Sequence, residues 1–163
     1  MAGVWQMRTH TPLKTNRYYL RKDRGGYNAF TTYNMFENGG NCTSYCFGRW
    51  LEVGSYARKG IIKKTCSLPL CDAQNWYSAC TAYQKGKEPK LGAVACWKKK
   101  GANSGHVAIV EKITATGITT SESGWHHYMF KNVTYKRIGN EPYLAGFEFQ
   151  GYIYNPWASN NYQ

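Results

Sequence analysis

The chain has 163 residues, 42 % of them apolar and 16 % aromatic, with 21 Lys+Arg against 9 Asp+Glu for a formal net charge of +12. That length suits one domain with a sizeable core and is short for two. The apolar fraction excludes a disordered chain, and the longest apolar runs, a handful of residues each, exclude a membrane-spanning helix.

Residues 1–30, rich in Tyr, Thr, Asn and Gly, lack periodicity and read as an irregular N-terminal wrap, and Gly39-Gly40 closes the irregular stretch as a loose turn. CTSYCFGRWLEV, residues 42–53, places Tyr45/Cys46, Trp50 and Val53 at helical spacing with Asn41 or Thr43 at the N-cap. Gly48 inside it costs about 1 kcal/mol of helix propensity against Ala. A second helix is expected over 72–84, capped by Asp72, with Trp76, Cys80 and Tyr83 on one face. After Pro89 the pattern turns to strands: 92–97, 106–113, 118–123, 132–138 and 147–154, with Thr114–Gly117 as a hairpin turn. Helices followed by an antiparallel sheet make the class α+β, with N-terminal helices packed on the sheet. Residues 1–157 form the single domain and 158–163 a polar tail.

The basic residues come in short clusters, Arg21-Lys22-Asp23-Arg24, Lys63-Lys64, Lys98-Lys99-Lys100 and Lys136-Arg137, without an RNP-type or zinc-finger pattern. A charge of +12 attracts polyanions, but no pattern here supports nucleic acid. The cysteines are Cys42, Cys46, Cys66, Cys71, Cys80 and Cys96, with no CxxC pair, which argues against structural zinc. A disulfide framework is poorly matched to a domain of this size, so most of the cysteines read as small buried side chains.

A cysteine is nucleophilic as a thiolate, and the unpaired N–H groups at a helix N-terminus favour that form. Cys42 stands where the Gly-Gly turn meets the first helix. Cys46, one turn on, is the rival and reads as packing. An imidazole serves as base and then as acid to a leaving amine. His106 opens a strand directly after Gly105, held by regular structure. In a tight hairpin about 114–117, residues whose numbers sum to roughly 230 face each other. His106 and Glu122 come close to that total, so Glu122 is placed to orient the ring. His126 and His127 read as a loop rim, and His10 has no assignment.

The ordered set NCTSYCFGR (41–49), GAVACW (92–97), GHVAIVE (105–111), SESGW (121–125) and FQGYIY (149–154) resembles the CHAP domain. This is the cysteine- and histidine-dependent amidohydrolase/peptidase module of bacteriophage endolysins and bacterial wall hydrolases, and the resemblance runs from about residue 30 to 157. It implies a papain-like α+β fold and cleavage of an amide bond in peptidoglycan, with Cys42 as nucleophile, His106 as base and acid, and Glu122 orienting the imidazole. Asn41 falls where the family often has Gln, a side chain that helps the Cys42 backbone N–H bind the oxyanion, and Trp125, next to the site, is a candidate to line the substrate groove. Gly124 stands where the family often has Asn, and Ala93 where it often has Asp. In place of an acidic calcium run the chain has Tyr33-Asn34-Met35-Phe36-Glu37-Asn38, so neither metal nor cofactor is expected.

The implied partners are cell-wall peptidoglycan and anionic wall polymers, with a wall-binding domain or subunit as a separate addition. MAGVWQMRTH lacks the apolar core of a secretion signal. The expectation is therefore a host-cytoplasmic enzyme that reaches the wall through a separate pore. Two competing readings share the fold: an inactive wall-binding domain, and a papain-like protease acting on proteins.

Overall fold

The computed structural model describes residues 5–20, 34–37, 39–57 and 66–159. Helix α1, Cys42–Ala57, starts where Asn41 caps it: Asn41 Oδ1 accepts from the Ser44 amide at 3.2 Å and from Thr43 Oγ1 at 2.8 Å. From Thr43 to Gly54 every residue is buried, because the helix is covered on two sides. Strands β3 (Gly105–Ile113) and β4 (Gly117–Gly124) lie against one side, and the N-terminal strap with its 3-10 turn Arg17–Tyr19 lies against the other, beside the short helix α3, Pro156–Ser159.

The second predicted helix is reduced to a 3-10 turn, Ala73–Asn75, and the single helical turn α2, Trp76–Ala79. Asp72 makes no side-chain cap, and Cys80 takes an extended conformation that ends the turn. Trp76, Cys80 and Tyr83 nonetheless pack into the same core cluster. The apolar spacing was therefore a signal of burial, and packing satisfies it without a continued helix.

Seven antiparallel strands form a curled sheet in the order β1-β7-β2-β3-β4-β5-β6. They are β1 Lys85–Gly86, β2 Val94–Lys99, β3 Gly105–Ile113, β4 Gly117–Gly124, β5 Tyr128–Ile138, β6 Glu141–Pro142 and β7 Phe147–Ile153. The five predicted strands are all present. Strand β5 begins four residues earlier than the β-branched run suggested, and the two-residue strands β1 and β6 carry too few residues for a periodic signal. In the β3–β4 hairpin Ile109 pairs with Ser121 and Val110 with Thr120, the register the turn predicts. A register shift between Val110 and Lys112 leaves Glu111 unpaired.

Two apolar clusters flank the sheet. One, under α1, holds Tyr45, Trp50, Trp76, Val107 and Ile109 together with all six cysteines, each of which is a free thiol. The other gathers Ala93, Ala95, Trp97, Ala108, Val110, Ile118, Tyr135 and Tyr152. It is capped by the segment before β7, where Trp97 Nε1 donates to the Pro142 carbonyl at 2.9 Å and the Tyr152 hydroxyl to that of Asn140 at 2.6 Å.

The strap is bolted to α1 by charge. Arg49 on α1 is buried and forms ion pairs with Glu111 (Nε–Oε1 2.8 Å) and Glu52 (2.7 Å), while Arg8 from the strap grips both Glu52 oxygens, at 2.9 and 2.6 Å. Ser121 and Tyr45 extend this network, the Tyr45 hydroxyl donating to Ser121 and Ser121 to Glu111. No helix among the described residues is long and apolar enough to cross a membrane. Of the run considered for calcium, Tyr33 and Asn38 lie outside the described residues, as do the basic clusters at 21–24 and 63–64.

Candidate active site

Cys42 is the first residue of α1, and its half-buried thiol borders the core. His106 is the second residue of β3, its side chain 14 % exposed, and its Nε2 lies 2.6 Å from Glu122 Oε2 on β4. The Cys42 side chain also lies beside the ring and raises its pKa. Since Nε2 faces the carboxylate, Nδ1 is the nitrogen left for the sulfur. The structure thus brings Cys42, His106 and Glu122 together, the sulfur beside the imidazole and the imidazole hydrogen-bonded to the carboxylate. His106 and Glu122 are not directly opposite; the register sets them diagonally across the hairpin, two residues out of line, still within reach.

Glu122 is 1 % exposed, and four donors converge on it. Oε2 accepts from His106 and from the Tyr128 hydroxyl at 2.6 Å, and Oε1 from Thr120 Oγ1 at 2.6 Å and the Tyr135 hydroxyl at 2.8 Å. Burial on its own would raise this carboxyl, but the hydrogen bonds from His106, Thr120 and Tyr128 and the imidazolium charge overcome it and hold the pKa at about 2. His106 shows the complementary balance. Burial would lower it, yet the neighbouring Cys42 and the hydrogen bond and charge of Glu122 raise it to about 10. The site thus favours the protonated form of the imidazole. The Trp97 ring stacks on it, centroids 5.7 Å apart and planes 28° apart, fixing the plane in which it donates.

Asn41 sits directly before the cysteine. Its Oδ1 is committed to capping, accepting from Thr43 Oγ1 and the Ser44 amide. The Asn41 amide donates to Ser123 Oγ at 2.8 Å, and Ser123 in turn donates to the Tyr128 carbonyl. Gly40 makes this docking possible: at φ 128°, a Cβ there would fall 2.1 Å from the Tyr128 carbonyl oxygen and 2.2 Å from that of Gly124. Trp125 stands on the same β4–β5 turn, 44 % exposed, its ring edge-on to His126 at 4.2 Å.

Cys46 is fully buried, and burial pushes its thiol well above the ordinary value, as suits a packing residue. His10 is exposed on the strap, where its carbonyl accepts from Arg8. Ala93 is buried in the second cluster. No metal-holding group of three or more His, Cys, Asp or Glu occurs among the described residues. Sequence reasoning missed Thr120, Tyr128, Tyr135 and Trp97. The alternation of β4 and β5 carried a signal for Thr120 and Tyr135, which share the Glu122 face of the sheet.

Residues 31–124 match the family model of the CHAP domain. Among solved structures, the chain is similar to an N-acetylmuramoyl-L-alanine amidase from Staphylococcus aureus, with 26 % identity and a TM-score of 0.46; the likeness covers 69 % of this chain and 32 % of that one. The chain thus spans about a third of the amidase's length. No curated protein sequence matches it. With more than half of its length under the family model and a helix-mouth cysteine facing a strand histidine, the chain belongs to the CHAP domain family.

Proposed function

We propose that the protein is a peptidoglycan hydrolase of the phage endolysin type. It would cleave an amide bond in the peptide stem or cross-bridge, or the N-acetylmuramoyl-L-alanine bond, with Cys42 as nucleophile in a papain-like arrangement. The observation that carries this reading is the placement of Cys42, at the mouth of α1, beside a His106 that is hydrogen-bonded to a fully buried Glu122.

In the first half-reaction Cys42, its thiol proton held by His106, attacks the amide carbonyl as the thiolate. The Cys42 backbone N–H at the helix mouth and Asn41 Nδ2 are the donors for the oxyanion. His106, held protonated beside the sulfur, gives its proton to the departing amine as the thioester forms. The neutral ring then takes a proton from water, the hydroxide attacks the thioester, and the carboxylic acid product leaves Cys42 free. Glu122 stays ionised throughout, keeping Nε2 engaged and Nδ1 turned to the sulfur. Trp125, exposed beside the turn, is assigned to the substrate groove, and peptidoglycan with its anionic polymers is assigned as the partner.

Cys42→Ser is the direct test. Clearing of a wall suspension is expected to vanish while binding to walls persists, and mass spectrometry of the fragments released by the intact enzyme names the bond. Unchanged clearing by the variant would overturn the nucleophile assignment, and activity on casein with none on purified peptidoglycan would replace the substrate.

A further inference from the structure

Of the three hydroxyls that donate to Glu122 beside the imidazole, only one shares its oxygen. The Tyr128 hydroxyl and His106 Nε2 both bond Oε2, each at 2.6 Å. Tyr128 opens β5, and its ring occupies the space beside Gly124, where a Cβ would lie 2.6 Å from Tyr128 Cε1. Glycine at 124 is therefore what admits the phenol to the carboxylate. The Tyr128 backbone carbonyl, through Ser123 Oγ, is tied to the amide of Asn41, the residue before Cys42. One residue thus touches both the carboxylate and the support of the sulfur.

We infer that Tyr128 is a positioning residue for the proposed reaction: by donating to Glu122 Oε2 it limits how strongly that oxygen holds the imidazolium. An oxygen that accepts a second hydrogen bond carries less charge toward the first donor. His106 then remains acid enough to release its proton to the leaving amine. The titratable and charged groups around the pair are Cys42 and Cys46 from α1 and Tyr128, Lys131 and Tyr135 from β5, with Lys131 Nζ 4.0 Å from the Tyr128 ring centre. The neutral Trp97 covers the ring from β2.

The inference rests on the hydrolase reading for its kinetic consequence but not for its electrostatic one, and two readouts separate them. Tyr128→Phe keeps the ring beside Gly124 and deletes only the hydroxyl. In that variant kcat/KM is expected to fall about tenfold, the worth of one charge-assisted hydrogen bond, with KM unchanged. The basic limb of the pH profile and the NMR titration midpoint of His106 should both move upward by roughly half a pH unit. Gly124→Ala, which pushes the phenol away, should reproduce the same upward shift, and the double variant should add nothing to it. A merely structural tyrosine would lower the melting temperature and leave the His106 midpoint where it was; an unmoved midpoint in both single variants overturns the inference. Because that midpoint is read without substrate, it judges Tyr128 even if Cys42→Ser defeats the hydrolase assignment.

Discussion

Gly48 lies under the ring of Tyr19, so close that a Cβ on the glycine would stand 2.3 Å from Tyr19 Cδ1. Tyr19 is fully buried and donates its hydroxyl to Glu52 at 3.0 Å, so the ring has no room to retreat. Gly48→Ala would gain about 1 kcal/mol of helix propensity but incur overpacking on the order of 1–3 kcal/mol. A net loss is expected, visible as a melting temperature lower by ~3 °C. A variant that melts higher would show that the strap can shift.

Glu122→Gln preserves volume and removes the charge. An amide cannot accept from His106, Tyr128, Thr120 and Tyr135 together, and breaking the buried pair is expected to cost on the order of 3 kcal/mol. The sign of its pH dependence follows from the two partners. His106 is raised from 6.5 to about 10, so its contribution is complete below 6.5 and is lost as pH climbs through 10. Glu122 is lowered from 4.5 to about 2, so its contribution is complete above 4.5 and is lost as pH falls through 2. The wild-type advantage over the variant, measured by denaturant unfolding across pH, should therefore be greatest between 4.5 and 6.5 and shrink on either side. An advantage that keeps growing above pH 7 would contradict the assigned ion pair.

Arg49→Met strips Glu111 and Glu52 of their shared buried cation. Burial already pushes the Glu111 carboxyl above its ordinary value with Arg49 present. The expected loss is on the order of 3–5 kcal/mol, read as a shift of the urea midpoint at an unchanged slope. Protection of the α1 amides against hydrogen exchange should fall with it. A loss under about 1 kcal/mol would mean that the network contributes no more than a surface pair.

Three of the chain's carboxylates, Glu52, Glu111 and Glu122, are buried against cations. Lys98, Lys99 and Lys100 are exposed at the end of β2, where Lys98 pairs with Gly105 next to His106. Attachment to anionic walls should weaken steadily as salt rises from about 50 to about 500 mM, where screening shortens to a few ångströms. Replacing the three lysines by Gln should flatten that dependence. Lysis rates indifferent to salt would remove wall polymers from the list of partners.

The line of the site was legible because each member announces itself locally. Cys42 follows a Gly-Gly turn and an N-cap, His106 begins a strand, and hairpin arithmetic brings Glu122 within reach of it. The strands after Pro89 were equally plain, since β-branched runs between turn residues state their own period. What escaped depends on partners distant in the chain. The cost of Gly48 is explained only by Tyr19, Arg49 is balanced by residues 62 positions away and by the strap, and Cys80 ends a helical turn because packing permits an extended path. Tyr128 was hidden because β5 begins before its β-branched run, with a Tyr-Met-Phe stretch that reads as well as loop.

The span matched by the family model stops short of what holds the site together. Arg8 precedes it, and Tyr128 and Tyr135, half of the donors on Glu122, follow it. A chimera assembled by splicing residues 31–124 into another scaffold would carry Cys42, His106 and Glu122 with the carboxylate half-dressed and Glu52 stripped of a counter-ion. Module exchange should therefore cut outside Trp5 and Ala158, carrying the strap and the last strands as one transplantable unit.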